Sequence, residues 1–385
     1  MTSARLQIFA LSIPLLAGSL VAANNPDSRF PESPQIHENG TVTFRVVAKN
    51  AEQVELKGSF VKDGQGQMKR SDKAVWEVTV GPLDGGIYDY VFSVDGTIVL
   101  DPHNRSFKKW RSTKNLFEIP SIPAAAWDLQ NVPHGTVRHH DFFSNNLKTH
   151  RQVVVYTPAG YDERSDKRYP VLFLLHGSGD DATAWTEVGK AHRIADNLIA
   201  AKKIDPLIIV MPHGHASRPG IKLRELDGEN WSEENFNSVY SDFFQTLIPF
   251  VEENYTIANR HEDWAIAGLS MGGGQSLRIG LNHPDRFATI GAFSSGVSGD
   301  VESLQIRYER MKRLDKAGAQ RIWIACGRDD FLLDRNQAFH RWLTDEGVDH
   351  SYKLTSGGHS WPVWRDYLEE FLSRYFVLSQ NFGGN

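Results

Sequence analysis

Two kinds of hydrophobic spacing divide the chain. From Thr41 to about Val99, apolar and polar residues alternate in the short runs TVTFRVVA, QVELKGSF, AVWEVTV, YDYVFSVDG and TIVL, separated by Gly, Pro, Asn and Asp. Alternation puts successive side chains on opposite faces of a strand, and the separators are turn residues. Short strands at this spacing, with no helical stripe between them, predict a small all-β antiparallel sandwich over residues 27–120. Ser121 to Gly135, SIPAAAWDLQNVPHG, mixes Pro, Ala and Gly without periodicity and reads as a linker.

Beyond Thr136 the spacing changes. YPVLFLLHG (Tyr169 to Gly177) and PLIIVMPHG (Pro206 to Gly214) are unbroken apolar runs ending in turn residues, as strands buried on both faces do. DWAIAGLS and RIWIACGRDD repeat the device, and RQVVVYTP reads as a further strand. Between them lie amphipathic stretches such as NSVYSDFFQTLIPFVEENY, with apolar residues at helical spacing. Strands alternating with helices predict an α/β domain over residues 136–378, a doubly wound, mostly parallel sheet covered on both sides. Ligands gather at the carboxyl ends of strands in such sheets. Four of the runs end in reactive residues: His176-Gly177-Ser178, His213-Gly214-His215, Ser270 and Asp329-Asp330.

A length of 385 residues suits two domains. Apolar content of 40% and charged content of 23% are those of a globular chain. A net charge of -5 with interspersed signs offers no field for nucleic acid. At the N-terminus Arg5 precedes LQIFALSIPLLAGSLVAA, an apolar run broken by Ser12 and Pro14 and ending in small residues. The pattern predicts a secretory signal peptide at residues 1–23, cleaved after Ala23, and is too short and interrupted for a membrane span of about 20 apolar residues. The expected location is secreted or periplasmic, with no membrane attachment after cleavage. Cys326 is the single cysteine, so no intrachain disulfide forms.

The most informative stretch is AIAGLSMGGGQSLRIGL, Ala265 to Leu281. Its G-x-S-x-G core predicts a sharp strand-to-helix turn that presents the Ser270 hydroxyl. Side chains at the flanking glycines would clash across so tight a turn. The helix that follows aims its N-terminal amides at any oxyanion formed there. Ser270 is therefore the expected nucleophile, and a hydroxyl needs a base to take its proton. The chain order serine, acid, histidine places that base late, and His359 in TSGGHSWPVWR follows the strand-like HSYKLT. His140, His213 and His215 precede the elbow and fit this order less well. The acid that orients the imidazole is Asp329, Asp330 or Asp334, all just past RIWIACG, and spacing leaves the choice open. Expected oxyanion donors are the amides of Met271, after the nucleophile, and of Ser178 in LLHGSGDD. Trp231, Trp361 and Trp364 stand near the expected mouth and offer faces to an aromatic acyl group; Trp361 and Trp364 also suit pinning of the His359 loop. No metal is expected, since the His213-x-His215 pair has no attendant carboxylate motif, and the chemistry of these parts needs no cofactor.

Together LLHGSGDDATAW, LIIVMPHG, AIAGLSMGG-x-QSL, HPDRFATIGAFSSG, IACGRDDF and GGHSWPVWRDYL resemble the esterase-D-like α/β-hydrolases. That group includes carbohydrate esterase family 1, with feruloyl and acetylxylan esterases, and the enterochelin esterases. The resemblance spans about Thr136 to Phe376. It implies Ser270 as nucleophile, His359 as base, Asp330 as acid, and Ser178 and Met271 as oxyanion amides. FRVVAKNAEQVELKGSF, WEVTVGPLDGGIYDYVFSVDG and DPHN are similar to the immunoglobulin-like modules of carbohydrate-binding family 48. Such modules often bind glycan on an aromatic platform, for which Trp76 and Trp110 are the candidates here; packing against the esterase is the other role.

Export and a glycan-type front module imply a secreted serine carboxylesterase that removes feruloyl groups from plant cell-wall xylan, or from feruloylated or acetylated oligosaccharides, through an acyl-enzyme. Acetylxylan esterase is the next reading. An enterochelin-type siderophore esterase is a third, against which the leader-like N-terminus argues. A non-catalytic glycan-binding protein is a fourth, against which an intact Ser270, His359 and acid loop argue. Acyl transfer differs from hydrolysis only in whether water reaches the acyl-enzyme.

Overall fold

The computed structural model describes residues 31–62, 64–71, 74–109, 113–216, 231–297, 301–308 and 320–376. The predicted signal peptide and Trp110 lie outside them. The front domain is a sandwich of two antiparallel sheets. One carries strands Gln35–Ile36, Val42–Val47, Val75–Val80 and Lys69–Arg70; the other carries Val54–Gly58, Gly86–Val94, Lys114–Ile119 and Phe107–Lys108, with Thr97–Val99 paired to Gly86–Val94. Alternation decides which side chains enter the core. Val42, Phe44 and Val46 from one sheet meet Val54, Leu56, Tyr90, Phe92 and Phe117 from the other. Phe44 packs edge-on to Tyr90 at 4.7 Å and to Phe117 at 5.3 Å between centroids. Trp76 belongs to this core, and its Nε1–H donates to the Ala48 carbonyl at 3.0 Å. It is therefore no platform for a glycan.

The second domain is built on one eight-stranded sheet. Its order is Thr136–Ser144, Thr149–Thr157, Ile208–Pro212, Val171–Leu175, Trp264–Leu269, Thr289–Phe293, Arg321–Gly327 and Ser351–Thr355. The last six strands run parallel, while the first two are joined directly by a short turn through Lys148, at φ 53°, and so pair antiparallel. Period-two alternation sorts each buried strand into two cores. Phe173, Leu175, Val210, Ile266 and Ile324 face one helical layer; Leu172, Leu174, Met211, Ala267 and Trp323 face the other. Strand Val171–Leu175 lies between the strand that follows it and the strand after that, so the chain changes winding direction there. A crevice opens beyond the carboxyl ends of such strands.

The connecting stretch is fastened to this domain. Asn197 Nδ2 donates to the carbonyls of Ala126 at 2.7 Å and Asp128 at 2.9 Å, and the Arg365 guanidinium lies 5.0 Å over the Trp127 ring. Glu118, on a front-domain strand, pairs with Lys190 and Arg193, each at 2.6 Å. These contacts hold the sandwich against the α/β domain.

Candidate active site

The turn after strand Trp264–Leu269 is too close-packed for side chains. A Cβ on Gly272 would sit 2.5 Å from the His176 carbonyl oxygen and 2.6 Å from that of Leu175; one on Gly268 would sit 2.6 Å from the Gly272 backbone. Only hydrogen fits at both positions. Ser270 between them has φ 52° and ψ -116°, outside the regions that L-residues favour, and helix Met271–Asn282 begins at the next residue. Backbone bonds pin this conformation: Ser270 N–H donates to the Phe293 carbonyl, and Gly296 N–H to the Ser270 carbonyl, both at 2.8 Å. Ser270, Met271 and Ser178 all line one cavity of about 350 Å³. The positive end of the helix dipole starts at the serine.

Two strands along, the acid and the histidine meet. His359 Nδ1 lies 3.0 Å from both carboxylate oxygens of Asp330. With Nδ1 protonated, it donates to the carboxylate and leaves Nε2 as the base. The Asp330 side chain has no exposed surface. Burial opposes its charge, but hydrogen bonds from His359, Ser294 and the Leu332 amide outweigh burial and hold its pKa below the usual carboxylate value. Asp329 and Asp334 are exposed, and the Asp329 amide is tied to the Gly357 carbonyl at 3.0 Å. The structure thus brings Asp330, not its neighbours, to the imidazole. The ring is held between Phe331, at 4.5 Å, and Trp364, perpendicular at 4.8 Å. Ser270 Oγ makes no hydrogen bond among the described residues, and a bond from a nucleophile to its base commonly tightens only as substrate binds.

Residues 144–375, well over half of the chain, match the model of the family described as "Putative esterase". The chain belongs to this family of carboxylic ester hydrolases. The model of carbohydrate-binding module 48 (isoamylase N-terminal domain) matches residues 31–104. The esterase is 29% identical over 362 residues to an endo-1,4-beta-xylanase/feruloyl esterase of Xylanibacter ruminicola, covering 92% of this chain and 47% of that one. It therefore spans about half the length of that relative. A solved ferulic acid esterase is 28% identical with a TM-score of 0.50, covering 62% of this chain and 97% of its own. An enterochelin esterase of Shigella flexneri is 19% identical with a TM-score of 0.60 over 88% of this chain and 94% of its own. That likeness in fold extends across both domains of the esterase.

Behind the cavity lies a polar network that sequence reasoning passed over. His176 is fully buried, and burial pushes its pKa down to about 4, so the ring is neutral. Its Nδ1–H donates to the Gly177 carbonyl and its Nε2 accepts the Gly214 amide, both at 2.8 Å. His215 Nε2 accepts the Gly179 amide at 3.2 Å. Buried Arg151 donates to the carbonyls of His213, at 2.6 Å, and His215, and its charge is met by Asp242 at 3.2 Å. Gln275, on the helix after the serine, donates to the Gly214 carbonyl at 3.0 Å. The Ser178 loop is thus held by the 213–215 loop, which is itself held by Arg151 and Gln275. Ser295 and Asn336 do the same on the other flank, since Asn336 Oδ1 accepts both the Ser295 amide and its hydroxyl. One signal was present: LLHG and MPHG end two adjacent parallel strands, which places their loops side by side.

The aromatic expectations need correction. Trp361 does not line the cavity; it packs edge-on to Trp185 at 5.2 Å and to Trp364 at 5.4 Å. Trp364 is buried and its Nε1–H donates to Ser294 Oγ at 3.1 Å, so these two rings brace the histidine loop. Their place in an amphipathic helix, Trp361–Glu370, turns them toward the core. Trp231 begins helix Trp231–Asp242, and its side chain lies outside the described residues. Among the described residues, the rings that line the cavity are Phe236, Tyr308 and Phe331.

Proposed function

We propose that the protein is a secreted serine carboxylesterase that removes feruloyl groups from plant cell-wall xylan through an acyl-enzyme. The observation that carries this reading is the hydrogen bond between His359 and buried Asp330, joined through Phe331, which packs on the imidazole, to the aromatic-lined cavity into which strained Ser270 opens. In the first half-reaction His359 Nε2 takes the Ser270 hydroxyl proton as Oγ attacks the ester carbonyl carbon. The oxygen of the tetrahedral species gains charge and is met by the Met271 and Ser178 amides. The bond to the alkoxy oxygen breaks, His359 returns the proton to that oxygen, and the sugar leaves. Water then gives a proton to the same nitrogen and attacks the acyl carbon; the bond to Ser270 Oγ breaks, His359 returns the proton to Oγ, and the acid leaves. Asp330 stays ionised throughout and holds the imidazole in the required tautomer. Each oxyanion donor contributes about a hundredfold or more in rate.

The acyl group is supported by the ring-lined cavity and by relatives named for ferulate esters, one of them joined to a xylanase. The leader-like N-terminus supports export. For the front domain, buried Trp76 and the Glu118 ion pairs favour packing against the esterase over glycan capture. The test compares release of ferulate from methyl ferulate and feruloylated arabinoxylan with release of acetate from acetylated xylan. A clear preference for ferulate supports the proposal. Acetate release alone keeps the mechanism and moves the acyl group, and cleavage of a catecholate trilactone in preference to both overturns the substrate assignment.

A further inference from the structure

Among the described residues, the cavity over Ser270 carries more positive charge than a neutral acyl group or sugar uses. The charged side chains these residues bring to its lining are Arg278, Arg307 and Arg335, with the carboxylate of Glu233. Glu233 is already engaged twice, at 2.5 Å from Arg278 and 3.6 Å from Arg307. The Arg278 guanidinium also lies over the Phe236 ring, 4.0 Å from its centroid, and is mostly covered, so it forms part of the wall. Arg335 differs: it makes no ion pair or hydrogen bond among the described residues and is exposed on helix Leu333–Asp345. That helix begins directly after the acid loop, and Arg335, four residues past Phe331, lines the same cavity as Ser270. Asp330, in the loop before that helix, is engaged by His359.

We infer that this cavity selects esters bearing a carboxylate close to the scissile bond, with Arg335 as the group that meets it. The inference rests on the esterase reading above. A guanidinium presents a planar fork that matches a carboxylate through two parallel hydrogen bonds. In a concave wall its field is focused on whatever enters, which raises the local concentration of anionic substrate. One carboxylate would bring the described lining closer to neutrality, and the rings of Tyr308 and Phe331 would cover the apolar part of the same molecule.

The test uses matched ester pairs that differ by one carboxylate: 4-nitrophenyl hexanoate against 4-nitrophenyl hydrogen adipate for the acyl side, and phenyl acetate against 4-acetoxybenzoate for the alcohol side. The quantity read is the ratio of kcat/KM for the anionic ester to that for its neutral partner. The wild type is expected to favour the anionic member of at least one pair. Arg335→Gln is expected to lower that ratio about three- to tenfold, as loss of a partly exposed charge-assisted contact does. Glu233→Gln, which removes the competing carboxylate, is expected to raise it, a gain that misfolding cannot imitate. High salt is expected to shrink both differences. A wild-type ratio at or below one in both pairs, or a ratio that Arg335→Gln leaves in place, overturns the inference while hydrolysis of the neutral esters leaves the esterase reading standing. No hydrolysis of any of the four sinks both.

Discussion

Replacing Asp330 by Asn tests the acid assignment at one atom. In the native site both carboxylate oxygens stand 3.0 Å from His359 Nδ1, and Oδ1 also accepts the Leu332 amide at 2.8 Å. Asn keeps the volume but has a single acceptor oxygen. The Leu332 amide holds that oxygen, so the side-chain NH₂ turns toward His359. Nδ1 must then accept, the ring proton moves to Nε2, and the base that should take the Ser270 proton is lost. A wrong-tautomer histidine of this kind costs about 10⁴ in kcat, or about 5 kcal/mol of transition-state stabilisation. Asp329→Asn is the control: its carboxylate is exposed and makes no contact with the imidazole, so kcat is expected to stay within about twofold. The assay is kcat on 4-nitrophenyl acetate, with melting temperature measured on the same preparations to separate chemistry from misfolding. Equal losses in the two variants, or a loss under about tenfold for a well-folded Asp330→Asn, would refute the reasoning.

Three other perturbations follow from the packing. Gly272→Ala places a methyl 2.5 to 2.6 Å from the backbone carbonyl oxygens of His176 and Leu175, at the buried end of a core strand; we expect a loss at or above the upper end of the 1–3 kcal/mol range for overpacking, and denaturant titration at wild-type stability would contradict this. Glu118→Gln leaves the buried Lys190 ammonium without its carboxylate; because Glu118 is itself about one-third exposed, the expected loss is about 1–3 kcal/mol, seen as a lower Tm and faster proteolysis between the domains. Burial lowers the pKa of His176 and of His192 to about 4, below the ordinary value of 6.5. The unfolded chain therefore binds more protons between those values, and stability is complete above pH 6.5 and falls as pH drops toward 4, by up to about 1.4 kcal/mol per pH unit for each ring. His192→Gln should flatten that slope in Tm measured against pH, and an unchanged slope would remove His192 from the account.

How much of this was legible depended on whether the signal was local. Buried parallel strands such as Val171–Leu175 and Trp264–Leu269 announce themselves because both faces are covered, leaving no polar alternation. The elbow was legible because its glycines answer a steric demand set within five residues. Strands Gln35–Ile36, Lys69–Arg70 and Phe107–Lys108 are two residues each, too short to show a period. The buried side of Trp76 and the bracing role of Trp361 were settled by partners distant in sequence, Ala48 and Trp185. Spacing could not separate Asp329 from Asp330, because the turn after Gly327 decides which carboxylate points inward, and its bonds, Asp330 N–H to the Gly327 carbonyl and Asp329 N–H to that of Gly357, reach partners spacing does not show. The His176–Gly214 and His215–Gly179 bonds were invisible for the same reason: they join loops some 36 to 38 residues apart.

The central claim is that Ser270 forms a covalent acyl intermediate, and labelling with a fluorophosphonate tests it most directly. Intact-mass and peptide mass spectrometry should find one adduct, on Ser270, formed at the rate at which ester hydrolysis disappears, with neither adduct nor hydrolysis in Ser270→Ala. Hydrolysis that survives in Ser270→Ala, or an adduct on another residue that tracks the loss of activity, would contradict the account.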